Sequence, residues 1–136
     1  MSPFKTKRTV LFGDCDPAGA IYMPRVAHFV VEAVLEFQSS VLGGPAARKL
    51  FEMGIYPPAR NLAIDFLAPL TWDDELELEV TCTAVGTTSF TCEVLARRSD
   101  LAVAFKGRLT QLCVSPETQK PVPLPDKLRQ ALSKTT

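Results

Sequence analysis

Residues 12–38 read FGDCDPAGAIYMPRVAHFVVEAVLEFQ. From Arg25 to Gln38 the run is mostly apolar, with Val26, Phe29, Val30, Val31, Val34, Leu35 and Phe37 interrupted by Arg25, His28, Glu32 and Glu36. Those four polar residues are spaced three, four and four apart, which places them on one narrow stripe of a helix. A helix that is apolar over most of its circumference is buried on most sides. The stripe must then meet solvent, a partner subunit or a polar pocket. Pro24 suits the first turn, where its missing N–H costs nothing, and Gly43-Gly44-Pro45 ends the element.

Working outward, Lys5 to Phe12 is rich in β-formers and reads as a first strand. Pro45 to Met53 reads as a short second helix closed by Gly54, and YPPAR at Tyr56–Arg60 as a loop. NLAIDFL then alternates, with Leu62, Ile64 and Phe66 on one face. ELELEVTCTAV (Glu75–Val85) alternates more cleanly, and SFTCEVLARR (Ser89–Arg98) follows a Gly86-Thr87-Thr88 turn that sets Cys82 opposite Cys92. Leu101 to Val114 makes a last long strand, and Pro125 to Ser133 a terminal amphipathic helix. Strands with one polar and one apolar face suit an antiparallel sheet, so the expected fold is α+β, one sheet wrapped around one apolar helix. No internal repeat or linker divides the chain, which predicts a single domain over 1–136.

The chain has 136 residues, 46% hydrophobic and 22% charged, with 15 basic and 15 acidic side chains. Such a balance offers no basic field for nucleic acid or an anionic membrane surface. The most apolar run is too short and too charged to span a bilayer, and the N-terminus lacks the apolar core of a signal peptide, so a cytoplasmic protein is expected. Cys15, Cys82, Cys92 and Cys113 form no Cys-x-x-Cys pair and lie far in sequence from His28. They read as free, mostly buried thiols, and no metal site is expected.

Serine-hydrolase, zincin, dinucleotide and phosphate-loop motifs are all absent, which leaves carboxylate chemistry. Asp16 sits in a Pro-Gly turn just ahead of a helix N-terminus, where orphan N–H groups and the helix dipole can bind an anion or a carbonyl oxygen becoming one. A carboxylate beside such donors suits attack on an acyl carbon, or activation of a water that attacks it. A thiol ionises near pH 8.5, so its thiolate leaves with little help from a general acid. A thioester is therefore the acyl compound that one carboxylate and a set of oxyanion donors can cleave without a catalytic histidine. The bland alternative for GDCDPAG is an Asx turn capping the helix entry, and Asp14 reads as such a turn former whatever Asp16 does.

FGDCDPAG followed by an aromatic-Met-Pro step and a buried helix resembles the 4-hydroxybenzoyl-CoA thioesterase family of the hotdog fold. FLAPLTWDDELELEV and GTTSF are similar to that family's sheet in order and spacing, so the resemblance spans nearly the whole chain. It implies a long helix wrapped by a five-stranded antiparallel sheet. It also implies subunits paired edge to edge, dimers joined into homotetramers and a site at the dimer interface. Acyl-CoA would be the substrate, with no cofactor besides the coenzyme A that the substrate carries. Carried over by position, Asp16 matches the catalytic carboxylate, the Met23 N–H the donor to the thioester carbonyl, and Gly19 the turn that brings backbone near substrate. Ser89, with Thr88 beside it, falls where the family contacts the CoA portion; Tyr22 reads either as a pocket-lining residue or as one that merely packs.

Two features depart from that pattern. Gly86-Thr87-Thr88 replaces a basic cluster, so CoA phosphates must find other cations, with Arg97, Arg98, Lys106 and Arg108 as candidates. Val31 stands where that family has an acid near the bound ring, which implies a more apolar acyl pocket, aromatic or short to medium chain. Glu32 and His28 carry a second reading, since another hotdog branch places its carboxylate on the central helix; the plainer reading is an ion pair or hydrogen bond at a subunit interface. Hydrolysis of acyl groups on acyl carrier protein, binding of acyl thioesters without turnover, and hydratase chemistry using His28 and Glu32 stand as alternatives.

Overall fold

The computed structural model describes residues 3–135. In chain order they form β1 (Phe4–Thr9), a 3₁₀ turn (Phe12–Asp14), α1 (Met23–Leu42), α2 (Ala46–Glu52), β2 (Ala59–Phe66), β3 (Glu75–Val85), β4 (Ser89–Arg98), β5 (Val103–Leu112) and α3 (Asp126–Ser133). The five strands make one sheet in the order β1-β3-β4-β5-β2, antiparallel at each junction. β3, β4 and β5 form a meander, and the two strands that flank α1 in sequence are sent to opposite edges.

α1 lies across the sheet because its apolar circumference has nowhere else to go. Val26, Phe29, Val30, Ala33, Val34 and Phe37 are buried on it. They pack against Leu76, Leu78 and Val80 of β3, Phe90, Cys92 and Val94 of β4, and Phe105 and Leu109 of β5. Helix and sheet approach most closely at Gly107, where an added Cβ would lie 2.7 Å from a Val30 methyl. α1 starts with Pro in its first turn and ends at Gly43, whose φ of 73° and N–H bond to the Ser39 carbonyl stop it. One buried polar pair crosses this interface: Gln38 Nε2 donates to Gln111 Oε1 at 2.9 Å, and Gln111 Nε2 donates to the Pro57 carbonyl at 3.0 Å.

Cys82 and Cys92 do face each other across β3 and β4, and Leu128 and Leu132 bury the apolar side of α3. Three expectations need correction. β1 ends at Thr9, not Phe12, because Val10 turns to exchange backbone bonds with Asp73 and Asp74, and Phe12 is left 80% exposed. The last strand runs only Val103–Leu112, since Leu101 occupies the turn at φ 69°. β2 starts earlier, at Ala59, and its apolar face is only partly core: Ile64 packs against the core, while Leu62 and Phe66 remain 39% and 50% exposed. β2 is an edge strand, paired with β5 alone among the described residues. No single helix among the described residues is long and apolar enough to cross a membrane.

Candidate active site

Residues 14–22 fold into a tight loop that doubles back on itself. The Asp14 carbonyl accepts the Tyr22 N–H at 2.9 Å, Cys15 bridges to Ile21, and Asp16 N–H donates to the Ala20 carbonyl at 2.8 Å. Gly19 closes the turn at φ 85°, a conformation that favours glycine. A Cβ there would also stand 2.8 Å from the Trp72 ring. Thr71 Oγ1 donates to the Gly19 carbonyl at 2.7 Å, and Ile21 N–H to the Leu70 carbonyl at 2.9 Å. The loop is thus clipped to the segment that feeds β3.

Asp16 is half-buried. Its Oδ1 accepts N–H bonds from Ala18 at 2.9 Å and Ala20 at 3.2 Å, an Asx-type turn, while Oδ2 has no hydrogen bond among the described residues. One oxygen fixes the carboxylate and the other is left without a hydrogen bond among the described residues. Met23, the first residue of α1, presents an N–H that has no acceptor within the helix. Pro24 follows with no N–H to compete, and Tyr22 and Met23 are themselves 57% and 65% exposed. The mouth of the helix is open.

Asp14 serves the loop differently. It is 5% exposed, and its Oδ2 accepts the Leu11 N–H at 2.8 Å. Its Oδ1 lies 3.2 Å from Arg25 Nε and 4.0 Å from Arg8 Nη2. Arg8 lies 4.0 Å over the Phe29 ring and bonds Glu32 Oε2 at 2.5 Å, and the other Glu32 oxygen meets His28 Nε2 at 2.7 Å. A chain of charged contacts therefore runs Arg25–Asp14–Arg8–Glu32–His28. Burial, then the charges of Asp14, Asp16 and Asp74, push the Cys15 thiol above its ordinary range.

Thr88 and Ser89 lie elsewhere. The Gly86–Thr88 turn is held from below: Cys113 N–H donates to the Thr88 carbonyl at 2.8 Å, Leu124 N–H to Thr87 at 2.9 Å, and Arg129 Nη2 to Gly86 at 2.8 Å. Ser89 opens β4, whereas the Asp16 loop sits beside Leu70 at the far end of that strand, where Arg98 Nη1 bonds the Pro69 carbonyl. Ten residues of extended strand put about 30 Å between them. One chain brings Asp16, Gly19, Tyr22 and Met23 together, with Glu32 and His28 further along α1, and leaves Thr88 and Ser89 at the opposite end of the sheet.

Of the candidate cations, Arg97 is 3.7 Å from Glu79, Arg108 is 3.8 Å from Glu93, and Arg98 holds Asp100 through two nitrogens. Lys106 and Arg108 line a concavity of about 560 Å³ on the outer face of the sheet, together with Asp65, Glu79 and Glu93. No cluster of three or more His, Cys, Asp or Glu among the described residues is placed to hold a metal. Thr71, Trp72, Arg8 and Arg25 belong to the site's surroundings and were not singled out as such by spacing. Arg25 was visible on the polar stripe of α1; Arg8 and the Thr71-Trp72 clip carry no local signal.

Three comparisons bear on this arrangement. The model of the thioesterase-like superfamily matches residues 10–132. The 1,4-dihydroxy-2-naphthoyl-CoA hydrolase of Synechococcus elongatus is 28% identical over 136 residues, covering 99% of this chain and 98% of that protein. Among solved structures, a thioesterase-superfamily protein from Jannaschia is 29% identical at a TM-score of 0.89, covering 98% of this chain and 93% of that one. The 1,4-dihydroxy-2-naphthoyl-CoA thioesterase from Synechocystis is 23% identical at 0.87, covering 97% and 96%, and shares the fold. A helix wrapped by a five-stranded antiparallel sheet, and a family match over nearly the whole length, place the chain in the thioesterase-like superfamily on the hotdog fold.

Proposed function

We propose that this thioester hydrolase cleaves an aromatic acyl-CoA to the free acid and CoA, with Asp16 as nucleophile or general base and the start of α1 as the oxyanion site. The observation that carries the reading is the Asp16 carboxylate itself. Two backbone N–H groups hold one oxygen, the other is uncommitted, and the open N-terminus of α1 follows on the same loop. In the reaction Asp16, or a water it deprotonates, attacks the thioester carbon. Charge gathers on the carbonyl oxygen, which the Met23 N–H and the helix dipole stabilise. The CoA thiolate then leaves; where Asp16 itself attacks, a water hydrolyses the resulting mixed anhydride, releasing the acid and restoring the carboxylate. Gly19 lets the backbone approach the acyl group, and Tyr22 and His28 line the way to it, with Glu32 orienting His28.

The substrate class follows from the relatives that act on 1,4-dihydroxy-2-naphthoyl-CoA and from the apolar Val31 on α1. Short- and medium-chain acyl-CoAs, and acyl groups on a carrier protein, are the competing substrates. Thr88 and Ser89 receive the CoA portion from a second copy of the chain, because they stand about 30 Å from Asp16 in the same one. The apolar, outermost β2 is the edge on which two copies join, and dimers pair into a homotetramer. Residues 1–136 act as one cytoplasmic domain that needs no cofactor.

The test is thiol release from 1,4-dihydroxy-2-naphthoyl-, benzoyl-, phenylacetyl-, short- and medium-chain acyl-CoAs by wild type and Asp16→Asn. Loss of general-base or nucleophilic help predicts a fall of about 10²–10⁴-fold in the variant, with the fold intact. Full activity in Asp16→Asn would refute the role of Asp16. Release at background rate from every CoA ester by wild type would move the reading to carrier-bound substrates.

A further inference from the structure

We propose that Arg25 is a positioning residue: it cancels the charge of Asp14, so that the mouth of α1 stays positive enough to hold the oxyanion that Asp16 creates. The inference rests on the role given to Asp16 and the helix start above.

Asp14 presents a difficulty to that role. It is 5% exposed, and its carbonyl accepts the N–H of Tyr22, the residue just before Met23. Its carboxylate, 3.2 Å from Nε of Arg25 in the first turn of α1, lies beside the same helix start that must stabilise the developing negative charge. A buried carboxylate is tolerated only when it is paired. Left unpaired here, it would draw on the positive end of the helix dipole in competition with the substrate oxygen.

The pairing is supplied from two elements. Arg25, in the first turn of α1, brings Nε to 3.2 Å from Asp14 Oδ1. Arg8, on β1, reaches the same oxygen only at 4.0 Å and is already committed to Glu32 and to the Phe29 ring. The remaining charged neighbours do not help. Asp16 and Asp74 add negative charge around Cys15, between the two acids of the loop, and His28 is held by Glu32. Arg25 is thus the cation on which Asp14 depends most directly. It is 42% exposed at its side chain, close enough to the surface to be replaced without opening the core.

A charge-cancelling role predicts that kcat falls with Arg25→Gln only while Asp14 is charged, at unchanged thermal stability; a merely structural pair predicts a loss of stability that tracks the loss of activity. Steady-state kinetics would be measured on the acyl-CoA of the panel above that wild type turns over fastest. The expected result is a kcat for Arg25→Gln that is about 10- to 100-fold lower, with KM within about twofold, because the interaction lost is made in the transition state. Asp14→Asn keeps an oxygen for the Leu11 N–H but carries no charge, so Asp14→Asn/Arg25→Gln should recover to within about threefold of Asp14→Asn alone. A kcat for the double variant at least tenfold below that of Asp14→Asn, or an Arg25→Gln loss confined to KM, overturns the proposal. Should Arg25→Gln fail to fold, the step from Asp14→Asn to the double variant decides: a further tenfold fall in kcat overturns it, and no change sustains it. An Asp16→Asn protein with full activity would remove the parent reading and this one with it. Inactive Asp16→Asn beside an unrestored double variant would remove this one alone.

Discussion

β2 and β4 are written in the same alphabet and meet different fates. NLAIDF and SFTCEV both alternate apolar with polar residues, and both lie in one antiparallel sheet. Phe90 of β4 is 1% exposed, while Phe66 of β2 is 50% exposed. Alternation gives each strand an apolar face. What covers that face is set by position in the sheet: β4 is the central strand of the five, under α1, and β2 is the last. Chain neighbours do not foretell this, since β2 follows α2 in sequence and yet is placed beyond β5. An edge strand with an unburied apolar side is a surface that calls for a partner.

The contrast can be broken by substitution. Phe90→Ala should cost about 3–5 kcal/mol in urea unfolding, the range for truncating a buried aromatic. Phe66→Ala should change the stability of the isolated chain by less than about 1 kcal/mol. Its effect should appear in sedimentation as a loss of self-association, and a Phe66→Ala protein that loses as much stability as Phe90→Ala would show that β2 is core after all. Gly107 marks the place where the helix presses on β5. Gly107→Ala should destabilise by about 1–3 kcal/mol through overpacking against Val30, and Val30→Ala in the same chain should recover part of that loss. If the two costs simply add, the contact at Gly107 is not what limits the approach.

A comparable effect is expected at the buried polar pair near the end of α1. Gln111→Leu removes the acceptor of Gln38 and the donor to Pro57, leaving Gln38 Nε2 without this partner beside an already unpaired Oε1. The cost should be about 1–3 kcal/mol, and hydrogen exchange should rise first at Leu112 and Tyr56, where the chain leading into β2 is tied to β5 and its exit. The smallest perturbation is chemical. Burial pushes the Cys113 thiol up to about 11, and a hydrogen bond to Cys82 together with burial holds Cys92 higher still. The same bond lowers the Cys82 thiol, but Cys82 is buried, so a thiol reagent at pH 8 should label half-exposed Cys15 alone in the native protein and the other three only on unfolding. Native labelling of Cys92 would mean that the face under α1 opens more readily than its packing implies.

Much of the candidate site's loop was legible along the chain because its parts are close in sequence. Asp14, Asp16, Gly19 and the helix entry fall within ten residues, and local turn chemistry suffices to build the loop. The Asx turn and the Asp16 carboxylate are one structure: one oxygen caps the turn and the other is left open, so the two readings of GDCDPAG do not exclude each other. Arg8, Thr71 and Trp72 were not legible. They meet the loop from β1 and from the approach to β3, across separations that no periodicity encodes. The polar stripe of α1 showed that Arg25, His28 and Glu32 share a side, but not that Arg8 would stand between Asp14 and Glu32.

The sequence by itself determined the parts: a helix apolar nearly all round, strands with one greasy face, a turn that only glycine closes, and two acids ahead of a helix start. These follow from local sterics and from the periods of helix and strand, which act over a few residues. Only the tertiary structure decided the sheet order, and with it which apolar faces are sealed and which are left exposed. It alone set Asp16 and Ser89 at opposite ends of β4, and it alone brought two arginines from separate elements onto Asp14. Those outcomes depend on which distant segments share the limited apolar surface of α1, a competition settled by packing and not by any stretch of the chain on its own.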